Sequence, residues 1–390
     1  MKSCAYSKTF SLEKKRGLKW FLLLKKRRFN YLCLVCVLGL LTWTSCSSEL
    51  NVIGEWKDIP VVYALLDPVQ DTPTYIRIER VYLPPSQSAL EVAQIPDSIY
   101  YNPNDIEVLL YEDEILLDTL VWINLNAVGI DREPGIYSSV NYAYSTTAAI
   151  QGSSAYRLQI NNKVTKKRFS ATTQTMSPSN YILTSPSTSL PLKWVSYDTL
   201  NNTYTLRFIH CNWTIPNSSD NAEKVYDLHL DIHYKEYEVD LNVAGEPEIP
   251  GTAVCKTLRW TPLSNYLKYE QGGIIRETLN AESFYRFLAR ELAPVNSTNT
   301  RRCMVDIDIE VVAGDVELAA YIAHRNSMDN LAAGLYPPSP FSNVNGGLGV
   351  FSNKRSTSKT GYALSEKSLE YLLLNEFTAN LGFKQTQCQC

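Results

Sequence analysis

Two alternating runs hold most of the residues whose types and spacing could do chemistry. His229, Asp231 and His233 occupy every second position of 225–234, and Asp306, Asp308 and Glu310 do the same in 304–312. On a strand, every second side chain points to one face. The first run therefore offers two imidazoles and a carboxylate together, which are ligand types for a divalent transition metal. Its spacing argues against one ion held by both histidines. Positions i and i+4 of a strand stand roughly 13 Å apart, whereas ligand bonds to zinc are about 2 Å long. Leu228, Leu230 and Ile232 mark the other face as the buried one. The carboxylate run lacks the glycine and terminal glutamate of a calcium loop. Each run reads alone as the wet face of a strand, so no metal site and no cofactor are assigned.

Other signals for catalysis are equally thin. Gly346-Gly347-Leu348-Gly349 follows a proline-rich stretch and lacks the Lys-Ser/Thr that would contact phosphate, so it reads as a turn before a short strand at Val350-Phe351. No serine sits in a G-x-S-x-G elbow or beside an obvious histidine partner. No catalytic residues are assigned, and the chain is expected not to be an enzyme. Trp194, Tyr197, Tyr204, Trp213, Tyr234, Tyr237, Trp260, Tyr266 and Tyr269 crowd the second half. Such rings serve either as β-core packing or as stacking and interface surface.

Charge is split along the chain. The first 45 residues hold ten of the 37 Lys/Arg and one of the 40 Asp/Glu, which leaves 27 basic against 39 acidic residues beyond them. An acidic body repels phosphate backbones, so nucleic-acid binding is disfavoured.

Lys25-Lys26-Arg27-Arg28 precedes an apolar run, Tyr31 to Trp43, too short for a comfortable membrane span. The run ends in Thr44-Ser45-Cys46. This ending resembles a bacterial lipobox, which implies cleavage before Cys46 and its acylation. Several buried acyl chains, at about 0.8 kcal/mol per CH₂, make such an anchor effectively permanent in the outer-membrane lipid. Residues 1–45 thus read as a signal peptide with an N-terminal extension, and 46–57 as a lipidated tether. Cys211, Cys255, Cys303, Cys388 and Cys390 remain in the body. Export favours disulfides. Cys255–Cys303 is one candidate pair, connectivity stays open, and the terminal Gln387-Cys388-Gln389-Cys390 is expected to fray.

The elements that must position these residues are mostly strands. Alternation over 61–66, 74–82, 106–111, 115–120, 156–160 and 167–172, with a turn at Glu112-Asp113-Glu114, predicts an immunoglobulin-like β-sandwich over 58–180. Proline- and serine-rich segments at 177–180 and 185–191 mark a boundary. Residues 181–390 read as a β-rich domain with helices near 281–292, capped by Asn280, and near 368–377. Val316–Ile322 reads as a further strand. The fold class is mainly β.

The order Pro60-Val-Val-Tyr-Ala-Leu-Leu66, Ile78-Glu-Arg-Val-Tyr82, Glu133-Pro-Gly-Ile-Tyr137, Tyr156-Arg-Leu-Gln-Ile160, Phe169-Ser-Ala-Thr-Thr173 and Asn345-Gly-Gly-Leu-Gly-Val-Phe-Ser352 resembles a family of Bacteroidota outer-membrane lipoproteins known only as a domain of unknown function. The resemblance implies an outer-membrane lipoprotein with an N-terminal β-sandwich that serves transport or secretion machinery. Function is therefore expected to be binding or assembly by protein–protein contact, with an outer-membrane β-barrel protein as partner. The alternative is a glycan-binding accessory lipoprotein of a nutrient-uptake system. The long connection from Asn326 to Asn353 is the expected binding loop, with Tyr336 and Phe341 as its aromatic contacts.

Overall fold

The structure is a computed structural model that describes residues 57–69, 73–81, 88–177, 181–215, 222–269, 272–295, 299–328 and 340–390. Cys46, Tyr336, the signal segment and nearly all of the tether lie outside the described residues. Lys57–Cys390 clusters as one unit. No described helix is long and apolar enough to cross a membrane.

The chain is mainly β. The first strands are β1 (Pro60–Leu66), β2 (Thr74–Arg80), β3 (Ile106–Glu112), β4 (Ile115–Thr119), β5 (Val121–Asn124), β6 (Tyr142–Thr146), β7 (Ala155–Asn162) and β8 (Arg168–Gln174). Short pieces follow as β9 (Leu183–Ser185), β10 (Val195–Asp198), β11 (Thr203–Leu206) and β12 (Phe208–Ile215). The long strands are β13 (Glu223–Glu238), β14 (Val254–Tyr269), β15 (Gly273–Asn280), β16 (Thr300–Gly314), β17 (Val344–Asn345) and β18 (Leu348–Tyr362). Among the described residues, five α-helices interrupt them: α1 (Ala89–Val92), α2 (Pro96–Ile99), α3 (Ala281–Glu291), α4 (Val316–Met328) and α5 (Glu366–Leu374).

Period-2 alternation places two sheets face to face around the first core. Val62, Ala64 and Leu66 of β1 and Ile76 and Ile78 of β2 meet Ile106, Val108 and Leu110 of β3 and Leu158 and Ile160 of β7. The opposing sheet has the order β17-β8-β7-β3-β4. Its β3–β4 hairpin turns through Asp113 and Glu114, both at positive φ. That pair matches the right-handed twist of the flanking strands. A second core gathers Leu228, Leu230 and Ile232 of β13, Ile307, Ile309 and Val311 of β16, and the aromatic block around Trp194 and Trp213. Phe284 and Leu288 of α3 and Leu369 and Leu372 of α5 close it. Asn280 caps α3 as expected, its side chain accepting from the Glu282 amide at 2.7 Å.

The cores divide near residue 175, but the sheet does not. One eight-stranded sheet runs β14-β13-β16-β18-β1-β2-β6-β5 through both. The first part of β18 pairs parallel with β1, from Val61 opposite Leu348 to Leu66 opposite Asn353. Its second part pairs antiparallel with β16. The N-terminal sandwich is thus completed by a strand from the far end of the chain. Gly349 permits the approach: it sits at φ +101, and a Cβ there would lie 2.0 Å from the Val62 carbonyl oxygen.

Two expectations are corrected. Residues 316–322 are helical, part of α4, rather than a strand. Asp315 starts that helix by accepting from the Val316 amide at 2.7 Å, and its carbonyl accepts from Ala319 at 2.9 Å. The tail is also pinned rather than frayed. Cys255 pairs with Cys390 and Cys303 with Cys388, which excludes a Cys255–Cys303 bond, and among the described cysteines Cys211 is left as a free buried thiol. Backbone contacts reinforce this. Below Ile307, β16 has run past the end of β18, so its open edge takes the tail: Arg302 N donates to Gly382 O, Lys384 N to Arg302 O and Cys388 N to Met304 O, at 2.8–3.0 Å.

Candidate functional site: an aromatic cleft over β1 and α4

The outward side chains of β1, Val61, Tyr63 and Leu65, alternate with its core residues. α4 lies beside the same sheet, and between them opens a cleft of about 430 Å³. Volumes of this order are typical of small-molecule sites, and aromatic walls with a few polar groups are their usual lining. Tyr63, still 39% exposed, stands edge-on to Tyr321 at 6.3 Å between ring centroids, and Tyr321 stands edge-on to Phe341 at 6.5 Å. Burial, with Tyr321 and Glu79 nearby, pushes the Tyr63 phenol up to about 12, so it stays a protonated donor at neutral pH.

The rim is polar and mostly self-satisfied. Arg132 reaches Glu79 at 3.0 Å, donates to the Tyr100 hydroxyl at 2.9 Å and lies over the Tyr137 ring at 4.3 Å. Arg80 donates to the carbonyls of Asp97 and Ser98. Two groups stand apart. His324 Nε2 is buried without a hydrogen-bond partner, and Arg325 on the next position of α4 is exposed. Buried polar atoms are nearly always paired. The His324 ring lines the cleft, so a small side-chain movement that uncovers this nitrogen would present an unpaired polar group to an incoming molecule.

Of the expected binding residues, Phe341 is half-buried and lines this cleft. The sequence reading missed its partners Tyr63, Tyr321 and His324. Tyr63 sits at an outward position of a strand whose inward residues were recognised, so its exposure was available as a signal. Tyr321 was hidden by reading 316–322 as a strand, and His324 lies just past that run, in the part of α4 given no element in the sequence.

The aromatics of the second half do other work. Trp194 stacks on Phe284 at 4.5 Å, and Trp194, Trp213 and Tyr226 are fully buried in the second core. The two alternating runs lie on adjacent strands, with His229 opposite Glu310, Asp231 opposite Asp308 and His233 opposite Asp306. His229 and His233 each meet a threonine of β14 through Nδ1, Thr261 at 3.0 Å and Thr257 at 2.8 Å. Arg259 between them grips Asp231 through two bonds of 2.6 and 2.7 Å and reaches Glu310 at 3.4 Å. The Arg259 guanidinium holds the Asp231 carboxyl below its usual range. Gly346 and Gly347 form the turn between β17 and β18, as expected.

No family model matches the chain, and no curated protein is significantly similar to it.

Proposed function

We propose that the chain is a lipid-anchored accessory protein of the outer membrane that works by contact, without catalysis, and that the Tyr63–Tyr321–Phe341 cleft holds a segment of a β-barrel protein partner. The observation that carries this reading is the cleft itself. It combines three aromatic rings in edge contact, a protonated phenol and an unpaired His324 Nε2. Aromatic anchors in partly desolvated pockets dominate the energetics of protein contacts. The Thr44-Ser45-Cys46 ending of the apolar run supplies the tether to the lipid.

The test is affinity recovery of partners from detergent-solubilised native membranes. The wild-type chain should bring down an outer-membrane β-barrel protein. The Tyr63→Ala, Tyr321→Ala double variant should lose it while its unfolding midpoint stays within a few degrees. Equal recovery by both would reject the cleft as the contact. A second reading, glycan capture, is favoured by the cavity volume. It would show as saturable oligosaccharide binding abolished by the same double variant, with no protein recovered.

A further inference from the structure

We propose that His233, Asp306 and Asp308 form a binding site for one divalent transition-metal ion of the zinc class. This site is independent of the cleft reading. It arises where the two alternating runs, each unremarkable alone, become neighbours across the β13–β16 pairing. One ligand atom from each residue lies within 4.8 Å of the others. His233 Nε2 and Asp308 Oδ2 are 3.3 Å apart. Around a tetrahedral ion with bonds of about 2.1 Å, two ligand atoms stand roughly 3.4 Å from each other. That pair is thus already at chelating separation, and the Asp306 ligand atom, within 4.8 Å of the others, joins it by a shift of at most roughly 1.4 Å.

The groups behind the ligands are also in place. His233 Nδ1 meets the Thr257 hydroxyl at 2.8 Å, which fixes the ring and leaves Nε2 facing the carboxylates. Asp308 Oδ1 accepts from the Gly361 amide at 2.8 Å, which leaves Oδ2 for an ion. Such outer partners orient metal-ligating side chains and are usually worth 10–100-fold in affinity. The Asp306 side chain accepts no hydrogen bond from a described residue, and it is half-exposed, as are His233 and Asp308. The neighbouring cation, Arg259, is committed to Asp231 and Glu310. Two carboxylates and an imidazole, all partly reached by solvent, therefore lie within one small volume. That is the donor set of an exposed three-ligand site completed by solvent.

The test titrates zinc chloride, and separately cobalt chloride, into the untagged full chain in detergent. One ion should bind per chain, and cobalt should give visible d–d bands without a sulfur charge-transfer band. His233→Ala should weaken zinc binding at least ~10-fold and abolish the cobalt spectrum, and Thr257→Val should weaken it about ten-fold. His229→Ala should leave both unchanged. Unfolding midpoints of the metal-free variants report that the fold is kept. The proposal is overturned by the absence of stoichiometric binding, by equal losses in His229→Ala and His233→Ala, by a cysteine charge-transfer band, or by calcium binding as tightly as zinc with no effect of His233→Ala.

Discussion

Asn353 joins the two cores, and its removal should be among the most damaging single changes in the chain. Its side chain is fully buried. Its Oδ1 accepts from the Met176 amide at 3.0 Å, and its Nδ2 lies 3.0 Å from Thr173 Oγ1, 3.0 Å from the Gln174 carbonyl and 3.1 Å from Asp315 Oδ2. Asp315 in turn pairs with Lys224 and starts α4. One amide therefore ties the end of β8, the crossing of β18 and the base of the helix that walls the cleft. Asn353→Ala orphans the buried Met176 N–H, at about 1–3 kcal/mol, and removes a hydrogen bond to a charged carboxylate, at about 1.5–3 kcal/mol. The expected loss is roughly 4 kcal/mol, read as the shift in urea midpoint multiplied by the slope. Asn353→Asp keeps the shape but sets a second carboxylate against Asp315. The introduced carboxyl should have a folded pKa raised above its unfolded value, because like charges disfavour ionisation. Its cost is then largest above that folded pKa and shrinks as pH falls through it. The Asn353→Asp deficit should accordingly be smaller at pH 5 than at pH 7, while that of Asn353→Ala stays level. A loss under about 1 kcal/mol for Asn353→Ala, or pH-independent deficits for both, would refute the hub.

Two further outcomes follow from the tail and the anchor. Non-reducing peptide mapping should yield Cys255 linked to Cys390 and Cys303 linked to Cys388, and Cys303→Ser with Cys388→Ser should cost about 4–5 kcal/mol for the 85-residue separation it opens; a Cys255–Cys303 peptide would contradict the connectivity. Cys46→Ala should shift the protein from the membrane to the soluble fraction and remove fatty-acid label, and a labelled, membrane-bound variant would contradict the lipid anchor.

Alternation made most of the sheet legible in the sequence. β1, β3, the β7–β8 hairpin, β13 and β16 bury one face each, so the period of two survives in the residue order. α3 was legible from Asn280 and the spacing of Phe284, Phe287, Leu288 and Leu292. α4 was not, because Val316, Tyr321 and Ile322 favour strands in isolation. Its signals were the Asp315 start and the alanines that follow, which are weak beside three β-formers. What lay beyond reach was everything made by pairing distant segments. Tyr63, Tyr321 and Phe341 meet only because β18 returns to β1, and His233 meets Asp306 only through a register that neither strand specifies alone. Disulfide connectivity is hidden for the same reason.

Contact between the aromatic cleft and a membrane partner is tested most directly by site-specific photo-crosslinking in intact native cells. A benzophenone amino acid in place of Phe341 should give a light-dependent adduct with an outer-membrane β-barrel protein, and the same probe in place of Leu200, on an exposed turn, should not. No adduct from position 341, or an equal adduct from both positions, would contradict the account.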